Sequence, residues 1–222
     1  MNGQSSQNAA GASHAELFRY GAFTKNRVEA FADGIFAIIV TLLILEIKVP
    51  HIEHAASSRE LLEAIRMLVP KFASWVISFV TICIVWMNHH RLFDMFKGIN
   101  VGLFWHNVHL LLWVCFVPFP TALIGDYPHN PLAVAFYGLV MAMAAVAFIG
   151  ARLYGLKHQA LLKETVSLPV YRKAIVFSVI FGPVAYSIAA ALAFVNTYLA
   201  FAVYALIAVY FMFSFATKEK VQ

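Results

Sequence analysis

Charge is scarce in this sequence. Only 12% of its 222 residues are Asp, Glu, Lys or Arg, against about 25% in a soluble globular domain. With 62% hydrophobic residues and a mean hydropathy of +0.77, the chain has more apolar surface than its own interior can hide. Part of that surface must meet lipid. Cysteine is scarcer still. Cys83 and Cys115 each sit inside an apolar run. Two such thiols exclude a disulfide framework or a zinc spacing and read as small apolar side chains. No segment clusters Lys and Arg on a soluble face, so the net charge of +5 and pI of about 9.3 read as membrane orientation and not as a nucleic-acid surface. A basic-then-apolar leader is also missing. Residues 1–26 are polar and rich in small side chains, and are expected to form a flexible cytoplasmic tail.

What is present is a series of long apolar runs. A helix needs about 20 mostly apolar residues to cross a hydrocarbon core of about 30 Å. Six runs approach that length: Val28–Ile47, Val69–Met87, Val101–Ile124, Leu132–Ile149, Ala174–Phe194 and Tyr198–Phe215. They are continuous and do not alternate, which disfavours membrane strands. Pro118 and Pro120 predict a kinked or unwound end to the third run, and Gly182-Pro183 a bend in the fifth. The expected fold is therefore an all-α integral membrane protein of six spans. The six-helix transmembrane domain is residues 27–217, and 218–222 form a cytoplasmic tail.

Basic residues set the orientation. With the N-terminus inside, twelve Lys and Arg fall on the inner side and four (Lys48, Arg59, Arg66 and Lys71) on the outer. That asymmetry follows the positive-inside rule and implies both termini in the cytoplasm and residence in the cell's inner (plasma) membrane. Leu61, Leu62, Ile65 and Leu68 have helical apolar spacing within Ser57–Leu68, which predicts a short amphipathic helix on the outer face.

The first span is unusual because it holds Glu29, Asp33 and Glu46. A charge at the centre of a membrane helix costs about 2.5–3.5 kcal/mol on insertion scales, so such groups have partners or water. Glu29 and Glu46 lie near the ends, and Asp33 lies deeper. At about 100° per residue, Gly34, Leu42 and Leu45 fall near the direction of Ile38, with Thr41 slightly further round and Arg27 and Phe31 on the same side. Glu29 and Asp33 fall opposite and are expected to face the subunit's own helices. Periodicity leaves the aliphatic stripe two surroundings, lipid or the middle of an oligomer.

Arg27-x-x-x-Phe31-x-Asp33 resembles the Arg-x-x-x-Phe-Ser-Asp signature of the transmembrane-protein-175 potassium channels. The resemblance continues through Thr41-Leu-Leu-x-Leu45-Glu46-Ile47 and Pro50, Trp86-Met-Asn-His89-His90-Arg91-Leu-Phe, Asn107, and Val117-Pro118-Phe-Pro120-Thr121. The signature serine is Ala32 here, which removes one hydroxyl. The resemblance implies six helices per repeat and, for one copy of the motif, a homotetramer with the first helix lining a central pore. It implies that Ile38 is the hydrophobic constriction, that Leu42 and Leu45 are further apolar layers, and that the Thr41 hydroxyl favours potassium. It also implies that Arg27, Phe31, Asp33, His89, His90 and Asn107 form an interhelical network.

These readings predict a potassium-preferring cation channel that also passes other monovalent cations, with lipid and further copies of itself as partners. No enzymatic activity, cofactor or bound metal is expected. A carbonyl selectivity filter is lacking, because Tyr137-Gly138 and Tyr154-Gly155 have none of the flanking residues of such a loop. His89-His90 and His106-x-x-His109 lack a carboxylate partner or a His-Glu-x-x-His string, so metal chemistry is disfavoured. The alternative is a proton- or sodium-coupled secondary transporter working through Asp33, with broken helices at Pro118 and Gly182. Against it, the second half of the chain does not mirror the first.

Overall fold

The computed structural model describes residues 24–218, with side chains through Met212. The expected tails at 1–26 and 218–222 fall almost wholly outside the described residues. Lys25 and Asn26 are already helical.

The first helix, α1 (Lys25–Leu42), is extended by a 3₁₀ turn, Leu43–Glu46. Its 22 residues rise about 33 Å at about 1.5 Å each, enough to cross a bilayer core. Next comes α2 (Ser58–Met67), whose cap Ser57 accepts from the Glu60 backbone N–H. This is the expected amphipathic helix, and Leu61, Leu62 and Ile65 are all exposed on it. It leads into α3 (Val69–Asp94), which starts with Pro70 in its first turn, where no helical N–H is lost.

Helices α4 (Val101–Phe116) and α5 (Pro118–Asp126) form the third span. Pro118 and Pro120 supply no N–H, so the hydrogen-bond ladder breaks at Val117. The backbone there stays helical, at φ −56 and ψ −36, so the chain is interrupted and not unwound. Helix α6 (Pro131–Lys157) is capped by Asn130 and is the most enclosed element, with 61% of its most apolar window buried. Helix α7 (Leu168–Val179) runs through a π-helical segment, Ile180–Val184, into α8 (Ala185–Leu192). Gly182 is the non-helical residue there, at φ −96 and ψ −106, as Gly182-Pro183 predicts. The described chain ends in α9 (Thr197–Lys218).

Five helical stretches are long and apolar enough to cross a membrane: Lys25–Glu46, Val69–Asp94, Val101–Asp126, Pro131–Lys157 and Leu168–Leu192. The sixth expected run lies in α9, whose apolar stretch among the described residues, Thr197–Met212, is shorter.

The core has two parts. The larger joins α1, α3, α4, α6, α8 and α9 around Phe36, Leu43, Ile82, Tyr137, Tyr186 and Tyr204. The smaller gathers Val28, Phe93, Phe96, Leu103, Leu161 and Tyr171 at the basic end of the bundle. At that end the Lys97 N–H donates to the Leu161 carbonyl and the Lys163 N–H to the Met95 carbonyl, each at 2.9 Å. These bonds clip the α3–α4 turn to the α6–α7 connection. At the opposite end, Lys71 pairs with Asp126 and ties α3 to α5.

Close approach of α6 to α9 depends on Gly138. A Cβ there would lie 2.2 Å from the Tyr204 hydroxyl and 3.0 Å from the Tyr186 carbonyl oxygen. The same Tyr204 hydroxyl donates to the Val134 carbonyl at 2.9 Å. Gly138→Ala should therefore displace Tyr204 and cost about 1–3 kcal/mol of overpacking. Thermal melting in detergent checks this: the midpoint should fall well below that of Leu139→Ala, a change at the neighbouring, half-exposed position.

Candidate functional site

The first helix divides into two faces. Val28, Ala32, Phe36, Ile39 and Leu43 are buried at spacings of three and four, which seats α1 against α3 and α4. Among the described residues, the other face is left largely uncovered. Ile38 is 58% exposed and Leu45 57%, with Leu42, Phe31, Thr41, Gly34 and Arg27 also exposed. The stripe expected from periodicity is thus one outward surface of the subunit.

Thr41 has a defined chemistry on that surface. Its hydroxyl lies 2.8 Å from the Ile38 carbonyl oxygen and 3.1 Å from that of Ala37. The proton is spent on the helix's own carbonyls, so the oxygen's remaining lone pairs face outward. Such a group can offer an acceptor to a cation.

The acids do not simply turn inward. Glu29 is half-buried and pairs at 3.5 Å with Lys25 on its own helix. Asp33 is exposed and sits at the α1–α3 seam, where the Trp86 indole N–H donates to its Oδ1 at 2.8 Å. The expected six-residue network divides into two. His89 is 1% exposed, lies 2.8 Å through Nε2 from Asn107 Oδ1, and stacks on Phe93 with ring centroids 4.2 Å apart. Phe36 of α1 lies against the same imidazole at 5.5 Å. His90 is exposed and lies 6.2 Å from the Trp86 ring, on the Asp33 side. Arg27 and Phe31 are exposed, and neither is brought to Asp33 or to a histidine. Among the described residues, Arg27 has no side-chain hydrogen bond or ion pair.

Trp86 escaped the residue-level reading. Its signal was present: an indole N–H within an apolar span needs an acceptor, and Asp33 was the acid in need of a donor. Beside this bond lies an open groove of about 300 Å³, lined by Asp33, Phe36, Ala37, Val40, Cys83 and Trp86. Cys83 is half-buried there, while Cys115 is exposed and is not a core side chain. Elsewhere His106 packs on Tyr154 at 5.1 Å, and the Trp113 N–H donates to His109 Nε2 at 3.1 Å. Among the described residues no three His, Cys, Asp or Glu side chains converge.

Comparison with known proteins bears on this geometry. The family model described as endosomal/lysosomal potassium channel TMEM175 matches residues 27–118, a stretch that runs from Arg27 to the α4–α5 break. A potassium channel of Chamaesiphon minutus is 38% identical over 189 residues, covering 83% of this chain and 92% of the relative. A potassium channel of Streptomyces collinus is 36% identical over 192 residues, covering 85% and 91%. The crystal structure of a lysosomal potassium-selective channel TMEM175 homolog from Chamaesiphon minutus superposes with a TM-score of 0.72 at 33% identity. That match covers 86% of this chain and 97% of the other.

Proposed function

The chain belongs to the TMEM175 potassium-channel family, and from that premise we propose that it forms a homotetrameric, potassium-preferring cation pore. In this reading residues 27–217 form the channel domain, with α9 as the sixth crossing. The protein sits in the inner membrane with both termini cytoplasmic, and the first helix of each subunit lines the axis.

The observation that carries the proposal is the outward stripe of α1. A helix that is aliphatic on one face, with Ile38 more than half exposed, must be covered by lipid or by other copies. The same surface carries Asp33 at its edge, deeper in the span than Arg27. Charges there are costly against lipid, which favours coverage by copies of the chain. Four Ile38 side chains at one level give a dry constriction, since nothing repays an ion's lost hydration. Leu42 and Leu45 repeat that constriction outward as weaker layers. Thr41 hydroxyls, with lone pairs free, supply a cation-favouring ring one turn from the gate. Discrimination among cations then comes from pore width and these hydroxyls, and is modest.

The test is a bilayer recording of reconstituted protein with potassium on one side and sodium on the other. Unitary current steps should appear, reversing towards the potassium equilibrium potential. Slow saturable flux without steps would instead support a transporter coupled through Asp33.

A further inference from the structure

Arg152 is a buried charge away from the α1 stripe. It lies on α6, five residues before the helix ends at Lys157, and is 7% exposed. Its Nε and Nη1 are buried and, among the described residues, have no hydrogen-bond partner. The guanidinium rests 4.9 Å over the Phe148 ring. The neighbouring Tyr171 hydroxyl donates to the Arg152 backbone carbonyl at 2.9 Å, and as a neutral phenol it is not a counter-ion. Among the described residues, the ion pairs of this end include Lys163–Asp94 and Lys25–Glu29, and Arg152 takes part in neither. A buried cation without a counter-ion is strongly destabilising, and since none of the described residues supplies one, the site calls for a further anion.

The surroundings narrow the kind of anion. Phe148 is also a wall of a partly open cavity of about 90 Å³ between α3, α6, α9 and the π-helical break at Gly182. Its other walls are largely apolar and include Met141, Phe181 and Phe211. Exposed Lys157, Arg172 and Lys173 surround the same end of the bundle. An oxyanion site beside an apolar berth, at the basic membrane boundary, suits an anionic lipid.

We propose that the basic end of the α6–α7 seam binds the phosphate of an anionic phospholipid. Arg152 is the anchoring cation, and the partly open cavity walled by Phe148 receives a short stretch of an acyl chain. This rests on the membrane-spanning reading of the fold and is independent of which helix lines the pore.

The experiment is thermal melting of the purified full-length protein in detergent, with added phosphatidylglycerol, phosphatidylcholine or inorganic phosphate. Phosphatidylglycerol should raise the midpoint of the unmodified protein. Phosphatidylcholine and inorganic phosphate should do little. Arg152→Gln should weaken the phosphatidylglycerol effect about tenfold in lipid concentration, as expected for a lost charge-assisted hydrogen bond. Arg59→Gln, at the exposed α2, should leave it intact. An undiminished effect in Arg152→Gln, or an equal effect of phosphatidylcholine, overturns the site. A full effect of inorganic phosphate overturns its assignment to lipid. If Arg152→Gln does not fold, native mass measurement of the unmodified protein decides. Phosphatidylglycerol retained at about one per subunit supports the proposal, and its absence overturns it.

Discussion

Ile38→Asn is expected to raise the resting cation current sharply, while Ile39→Asn should reduce the yield of folded protein and leave the conductance of what folds near normal. The two positions are neighbours in sequence and opposites in surroundings. Ile38 is among the most exposed aliphatic side chains of α1, whereas Ile39 is 3% exposed and belongs to the main core. An amide at Ile38, repeated around the axis, lets water stand in the constriction and gives an ion something to exchange for its shell. Removing only ~1.4 kcal/mol from the barrier raises the crossing rate about tenfold. Selectivity among cations should weaken at the same time. An amide at Ile39 instead sits among apolar side chains, where an unsatisfied polar group costs about 1–3 kcal/mol. Macroscopic and single-channel currents, normalised to assembled protein, separate the two. If both substitutions act alike on current, or neither does in a correctly assembled oligomer, the pore face is wrongly assigned and α1 is not the ion path.

Much of this arrangement was legible from local rules. The Gly182-Pro183 break follows from a missing N–H and a missing Cβ, and the Val117 interruption from two prolines within three residues. The amphipathic α2 follows from the helical spacing of Leu61, Leu62 and Ile65. The outward stripe of α1 follows from helical periodicity alone, because one face of a helix buries as a unit. What was not legible depends on the rotation of one helix against another. His89 and His90 differ by about 100° on α3. Packing against Phe36 and Phe93 decides that His89 enters the core while His90 stays at the Trp86 edge. The Ser78, Tyr137 and Thr121 hydroxyls, spaced 3.2 and 2.7 Å apart in the core, likewise come from three helices and have no signature along the chain. Asp33 illustrates the intermediate case. Its need for a partner was readable from the cost of charge in a membrane, but the identity of Trp86 required the fold.

Asp33→Ala should disrupt assembly before it alters ion preference, and Trp86→Phe should reproduce a large part of that defect. The carboxylate accepts from the Trp86 indole at 2.8 Å across the α1–α3 seam. Deleting the acid strands an indole N–H in an apolar region, and deleting the indole strands a carboxylate. Either change costs about 1–3 kcal/mol, and more where the orphan is charged. Because both act on one bond, the double variant Asp33→Ala/Trp86→Phe should be destabilised by less than the sum of the two singles. Asp33→Asn keeps an acceptor for the indole and should retain most of the stability. Arg27 enters the same argument from the other side. It stands six residues from Asp33, about 120° away around α1, so the two do not meet within one helix. Arg27→Ala is expected to lower oligomer stability without touching the Asp33–Trp86 bond, and should be additive with Trp86→Phe. The readouts are oligomer mass in detergent, melting midpoint, and the reversal potential of whatever assembles. A stable Asp33→Ala tetramer with an unchanged midpoint and an altered reversal potential would make Asp33 part of the ion path, and would move the coupling-site reading ahead of the structural one.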